Sequence, residues 1–209
     1  MKAAQARSVS RREKILDAAL QVFSRRGYRD TVVDDIASEA DTSKGGVYFH
    51  FPNKQAIFLS LLDHTARLLR DRAEAAMEAE TDPLARVDAA LLVVLRTFAS
   101  HRSLARLFLV EALGAGREFN ERMNQIHLEF AELIEHHLDQ AVASGSIQPL
   151  DTRVAGKAWF GALNEVVMAW VLSEQPGRLE DSYPALRGLL MRSIGLFVQD
   201  DQLETEPKG

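Results

Sequence analysis

Apolar residues recur at helical spacing along almost the whole chain, and no run alternates with the period of two that a half-buried strand needs. That regularity restricts the fold to helix packed on helix. "SRREKILDAALQVFSRRG" places Ile15, Ala19 and Val22 on one face beside Leu16, Leu20 and Phe23. Ser10 and Glu13 have the spacing of a capping box, and Gly27 suits a left-handed stop, so the first helix is expected at about 10–26. A second box, Thr31 with Asp34, opens a helix at about 32–40, and a third short helix runs from about Ser43 to Phe49. Asn53 caps a long fourth helix that ends near "ETDP". Five more are expected at about 84–99, 102–113, 117–143, 152–173 and 180–198. The expected fold is all-α with about nine helices. It divides into a three-helix head at 1–54, a larger body at 55–200 and a polar tail at 201–209.

At 209 residues the chain buries enough surface to fold without a disulfide or metal staple. It has no cysteine, which excludes thiol nucleophiles and thiolate metal sites and fits a reducing cytoplasm. No apolar stretch approaches the roughly 20 residues of a membrane helix. The net charge of −5 is unevenly placed: residues 1–54 carry +3 and the rest −8. A basic head on an acidic body points to an anionic partner for the head alone.

"SKGGVYFHF" interrupts the helical pattern with two glycines, each unfavourable in a helix by about 1 kcal/mol relative to alanine. Two short helices joined by a tight turn form a helix-turn-helix, whose second helix enters the major groove of double-stranded DNA by its N-terminal end. Gly45 and Gly46 then let the main chain and Lys44 come close to the duplex. Val47 and Phe51, four apart, face the head's core. Tyr48 and His50 lie on other faces, where a phenol and an imidazole can donate to phosphate oxygens. Lys54 adds a third cationic group at the start of the next helix.

The stretch "REKILDAALQVFSRRG" followed by "GYRDTVVDDIASEADTSKGGVYFHFPNKQAIFLSLL" resembles the DNA-binding head of the tetracycline-repressor family over about residues 11–62. The shared features are Gly27–Tyr28, Thr31, Asp35–Ala37, Ser43–Gly45, Tyr48, His50–Phe51 and Lys54. The resemblance implies that Thr31 caps the second helix near a phosphate. Lys44 and Gly45 would sit in the groove, and Tyr48, His50 and Lys54 would hold the backbone. The turn glycine of the family is replaced by Asp41, which tolerates a left-handed conformation. The position of Gly46 often carries a small side chain that touches a base. Base reading here would rest on Lys44, on Phe49 against a thymine methyl, or on DNA shape. Lys2, Arg7, Arg11 and Arg12 form a basic arm for a minor groove.

The resemblance also implies a homodimer on a palindromic operator, repressing transcription until a small ligand in the body releases it, with no cofactor and no catalysis. Gly156, Gly161 and Ala162 on the eighth helix, with Leu186, Leu190, Ile194 and Phe197 on the ninth, are candidates for a four-helix dimer interface. Ligand candidates are Phe108, Trp159 and Phe160 in apolar stretches, with Glu111, Asn164 and Glu165 as polar interruptions. The body is loosely similar to regulators of fatty-acid degradation that answer to acyl-CoA, for which Arg102, Arg106 and Arg117 are available cations. The alternative is a drug-responsive regulator of an efflux pump, with Glu111 and Glu165 meeting a cation. A further class is a helical metal enzyme, since Glu129, Glu132 and His136 share a face. A carboxylate-bridged bundle needs such sets on several helices, and none appears on the eighth or ninth.

Overall fold

A computed structural model describes residues 2–112 and 115–196, with side chains from Ser10 onward. Nine α-helices account for the fold among these residues, and none of them is a strand. The head comprises α1 (Lys2–Asp30), α2 (Val33–Glu39) and α3 (Lys44–His50). The long α4 (Lys54–Glu78) leads from head to body. The body continues with α5 (Pro83–Ser100), α6 (Arg102–Arg106), α7 (Arg117–Ala143), α8 (Thr152–Leu172) and α9 (Tyr183–Ser193). Sequence signals place most boundaries well. Asn53 Oδ1 accepts from the Ala56 amide at 2.8 Å, and Asp82 and Asp151 cap α5 and α8 in the same way.

Four expectations change. Helix α1 begins at Lys2, so Ser10 lies inside it and caps nothing; Ala3, Ala4, Gln5 and Ala6 are all residues that favour helix. Thr31 does not cap α2. Its hydroxyl donates back to Gly27 O at 2.7 Å, the side chain is 1% exposed, and Val32 takes the cap position. The sixth helix tightens to five α residues and then widens into a π-helical turn, Leu107–Glu111. The ninth is preceded by a 3₁₀ turn, Leu179–Ser182, and stops at Ser193. There Gly195 has φ 83° and the Leu196 amide reaches back to Met191 O, a Schellman stop that the apolar pattern alone had carried on to 198. Phe197 and the expected tail lie outside the described residues.

The head's core is Ile15, Val22 and Phe23 of α1, Ile36 of α2, Val47 of α3 and Phe51, all buried, as the spacing of Val47 and Phe51 predicts. This core runs without a break into the body. At the junction Phe23 and Tyr28 from the head, Phe58 from α4 and Phe119 from α7 form a cluster of rings with centroids 4.8–5.8 Å apart. Most of these pairs are edge-on or tilted, the arrangement that ring quadrupoles favour. In the body, α7 packs along α8 and α4 along α5.

Candidate nucleic-acid interface and body cavity

Helix α2 ends at a residue with positive φ, Asp41 at 49°, and the amides of Asp41 and Thr42 return to Ser38 O and Ala37 O. Asp41 thus fills the place a glycine usually takes in such a stop. Ser43 then caps α3, its hydroxyl accepting from the Gly46 amide at 3.1 Å. Gly45 faces open space: a Cβ there would meet only the Ser43 hydroxyl, at 3.8 Å. Gly46 is crowded: a Cβ there would lie 2.4 Å from Thr42 Oγ1. Its lack of a side chain lets Thr42 fold over the start of α3.

Three of the expected DNA-contacting side chains stand together on the outer side of α3. Phe49 is 83% exposed and Tyr48 45%. Lys44 is exposed and paired with Asp34 of α2 at 2.8 Å; that hydrogen bond, more than the charge alone, raises its pKa. Both side chains of the pair are exposed, so it holds Lys44 only weakly. His50 is half-buried and packs edge-on to Phe49.

Two expected contacts are placed elsewhere. Thr31 is buried in the turn. Lys54 Nζ donates to the carbonyls of Tyr28 (2.7 Å), Arg29 (3.1 Å) and Thr31 (2.8 Å), and lies 4.6 Å from the Tyr28 ring centroid. All three of its N–H groups are committed to main chain, and desolvation lowers its pKa. Lys54 therefore holds the 28–31 turn in place for α2. In the arm, Arg12 is also engaged, donating to Ser60 Oγ and lying over the Phe51 ring. The side chains of Lys2 and Arg7 lie outside those described.

The body holds a cavity of about 80 Å³ between α4, α5, α7, α8 and α9, with Phe108 and Leu109 of the π turn in its wall. Phe108, Trp159, Phe160 and Asn164 line it as expected. Glu165 points outward, and Glu111 accepts from the Tyr28 amide at 2.8 Å, so neither belongs to the wall. Among the described residues, only Asn164 and Asp88 bring a carbonyl or carboxylate side chain to the lining. Asp88 was missed from sequence, although a lone carboxylate within "VDAALLVV" is a usable signal. Its Oδ1 accepts from the Tyr183 hydroxyl and its Oδ2 from Arg187 Nε, both at 2.8 Å. Burial first, then the bond to Asp88, pushes the Tyr183 pKa up to about 12.

The cations picked for a phosphate group have different surroundings. Arg102 donates to the carbonyls of Val171 and Ser173 and lies 5.4 Å from the Trp170 ring centroid, closing the end of α8. Arg117 pairs with Glu121, while Arg106 is exposed. The suggested metal face is likewise taken up. Glu129 binds Arg70 and Arg122, His136 meets Gln140, and among the described residues no three His, Asp or Glu side chains converge.

The proposed dimer residues divide. A Cβ at Gly156 would meet Ala131 O at 2.6 Å, so this glycine serves the packing of α8 on α7 within the chain. Leu186, Leu190 and Ile194 are also buried intramolecularly, since the inward face of α9 covers the body. Gly161 opens onto free space and Ala162 is half-buried. The outward apolar residues are Val154 and Leu172 of α8 and Leu189 of α9, each more than half exposed. No helix among the described residues is long and apolar enough to cross a membrane.

Comparison with known proteins bears directly on this arrangement. Residues 15–61 match the model of bacterial regulatory proteins of the tetR family, and residues 63–193 match that of the C-terminal region of YsiA-like proteins. The fatty acid metabolism regulator protein of Bacillus subtilis is 26% identical over 163 residues, 78% of this chain and 84% of that protein. The fatty acid degradation regulator FadR from Bacillus halodurans superposes with a TM-score of 0.81 at 26% identity, over 88% of this chain and 96% of the other. FadR from Bacillus subtilis, solved in complex with stearoyl-CoA, gives 0.79 at 26% identity, over 85% and 96%. With its exposed helix-turn-helix and both parts matched, the chain belongs to the tetR family of transcriptional regulators.

Proposed function

We propose that the protein is a homodimeric repressor that binds a palindromic operator through α3 and leaves it when a long-chain acyl-CoA enters the body. The observation that carries the effector class is the cavity wall, apolar but for Asn164 and a neutralised Asp88. A wall of this kind favours an alkyl chain through the hydrophobic effect, by about 25 cal/mol per Å² of apolar surface buried. The likeness to a FadR that was solved with stearoyl-CoA supports the same class. The cavity is smaller than the roughly 150 Å³ space that holds a benzene ring in other proteins, so an acyl chain has to part its walls. That need gives the ligand a means to change the protein's shape. On the DNA side, Lys44 and Phe49 would meet base edges while Tyr48 donates to phosphate. In a dimer the two α3 helices read half-sites about one helical turn apart. Val154, Leu172 and Leu189, with Gly161 between them, offer the outward face for the partner.

A drug-like cation fits less well. The one carboxylate in the wall is already bonded to Arg187 and Tyr183, and Glu111 and Glu165 lie outside it.

The test is fluorescence anisotropy on labelled DNA from upstream of the protein's own gene, or on an operator selected from random duplexes. Binding should weaken steeply with salt and be lost on addition of hexadecanoyl-CoA at concentrations that saturate the protein. Binding insensitive to hexadecanoyl-CoA but abolished by a hydrophobic cation would overturn the effector assignment.

A further inference from the structure

Glu111 ends the π turn whose Phe108 and Leu109 line the cavity, yet its own carboxylate leaves the body and grips the head. Oε2 accepts from the Tyr28 amide at 2.8 Å, a bond between residues 83 apart in sequence. The chain is shaped to receive it. Gly27 has φ 77° and ψ 167°, a conformation essentially restricted to glycine, and a Cβ on it would lie 3.1 Å from the same Oε2. A charged acceptor on a main-chain N–H is among the stronger hydrogen bonds available to a protein.

The segment after Gly27 is stiff. The Thr31 hydroxyl bonds to Gly27 O, and Lys54 Nζ gathers the carbonyls of Tyr28, Arg29 and Thr31. Helix α2 starts two residues later, at Val33. A displacement of the Tyr28 amide is therefore handed on to the helix-turn-helix and is not absorbed in a slack loop. On the other side, a π turn carries one more residue than an α turn would, and such turns occur frequently at functional sites. Relaxation to α geometry, or outward movement of Phe108 and Leu109, carries Glu111 with it.

We propose that Glu111 is the positioning residue through which the head senses the cavity: its carboxylate holds the Tyr28 amide while the π turn keeps this form, and an occupant that displaces Phe108 and Leu109 withdraws it. The inference rests on the reading of the cavity as an effector site. Glu111 touches neither DNA nor effector and acts through the 27–31 turn.

The experiment compares Glu111→Ala with Glu111→Gln, whose amide oxygen still accepts from the Tyr28 N–H. Three quantities are read on each full-length protein. They are operator affinity with and without hexadecanoyl-CoA, hexadecanoyl-CoA binding by calorimetry, and hydrogen-exchange protection of the Tyr28 amide by NMR. In the wild type, ligand should change operator affinity by roughly fivefold or more, a usual size for coupling between sites, and should strip the protection of Tyr28. Glu111→Ala should still bind hexadecanoyl-CoA but show an affinity ratio near one and an unprotected Tyr28, with Glu111→Gln restoring both. An alanine variant that responds as fully as the wild type overturns the proposal. If the wild type does not bind hexadecanoyl-CoA, the effector assignment falls. The ligand-free comparison still decides the role of Glu111: equal operator affinity and equal Tyr28 protection in the alanine and glutamine variants would refute it.

Discussion

An ammonium group has three N–H donors, and in Lys54 all three are directed at carbonyls of one turn. Its removal leaves those carbonyls without their charged partner and loosens the start of α2. Lys54→Ala is thus expected to lower thermal stability by about 1.5–3 kcal/mol, the range of hydrogen bonds to charged groups. It should also weaken binding to all DNA sequences through misplacement of the head. Lys44→Ala, by contrast, removes an exposed group and should leave the melting temperature nearly unchanged while altering sequence preference. Calorimetric melting beside anisotropy on specific and random duplexes checks both; a Lys54→Ala variant with wild-type stability would return the lysine to a phosphate role. The residues legible in the sequence were those whose neighbours are local: Val47 and Phe51 inward, Tyr48 and Phe49 outward, Asn53 as a cap. The bonds of Thr31, Lys54 and Glu111 were not foreseen because their partners are main-chain atoms brought together by tertiary folding, which side-chain patterns do not record.

Helices were legible because apolar periodicity and caps are encoded within each segment, and α4, α5, α7 and α8 fall close to their expected limits. The π turn was not, since nothing in "LFLVE" distinguishes a π from an α register; packing against α1 and the cavity accompanies it. Small residues on α8 illustrate the same limit. Spacing marks both Gly156 and Gly161 as close-approach positions but cannot say which neighbour approaches. The fold answers with Ala131 O against Gly156 and open space beside Gly161. Gly156→Ala should force α7 from α8 and reduce stability by about 1–3 kcal/mol, the usual penalty of overpacking, without changing the mass of the assembly. Gly161→Arg should leave the fold intact and yield a monomer that binds the operator poorly. Thermal melts with sedimentation velocity separate the two, and a Gly161→Arg protein that remains dimeric would move the interface off this face.

At the scale of the whole molecule, α7 links the junction with the head, the cavity and the seam with α8. His127 lies at that seam. Its ring lies 5.0 Å from that of Phe160, its Nε2 is buried without a hydrogen-bond partner, and desolvation lowers its pKa below the ordinary 6.5. The imidazole therefore takes up a proton less readily in the fold than in the unfolded chain, where it does so near 6.5. Unfolding then binds a proton as the medium is acidified, and stability falls with falling pH. The contribution is complete above 6.5, declines as pH drops below that value and is lost once the lowered native pKa is passed. His127→Leu keeps the apolar contact with Phe160 and has nothing to protonate. Its urea-unfolding free energy should match the wild type's within the usual range of a core substitution on the alkaline side of 6.5. It should fall less steeply below it, and the gap between the two curves should open in the variant's favour. Parallel curves through that interval would mean that the His127 ring reaches water, or finds an acceptor for its second N–H, as readily in the folded protein as in the unfolded chain.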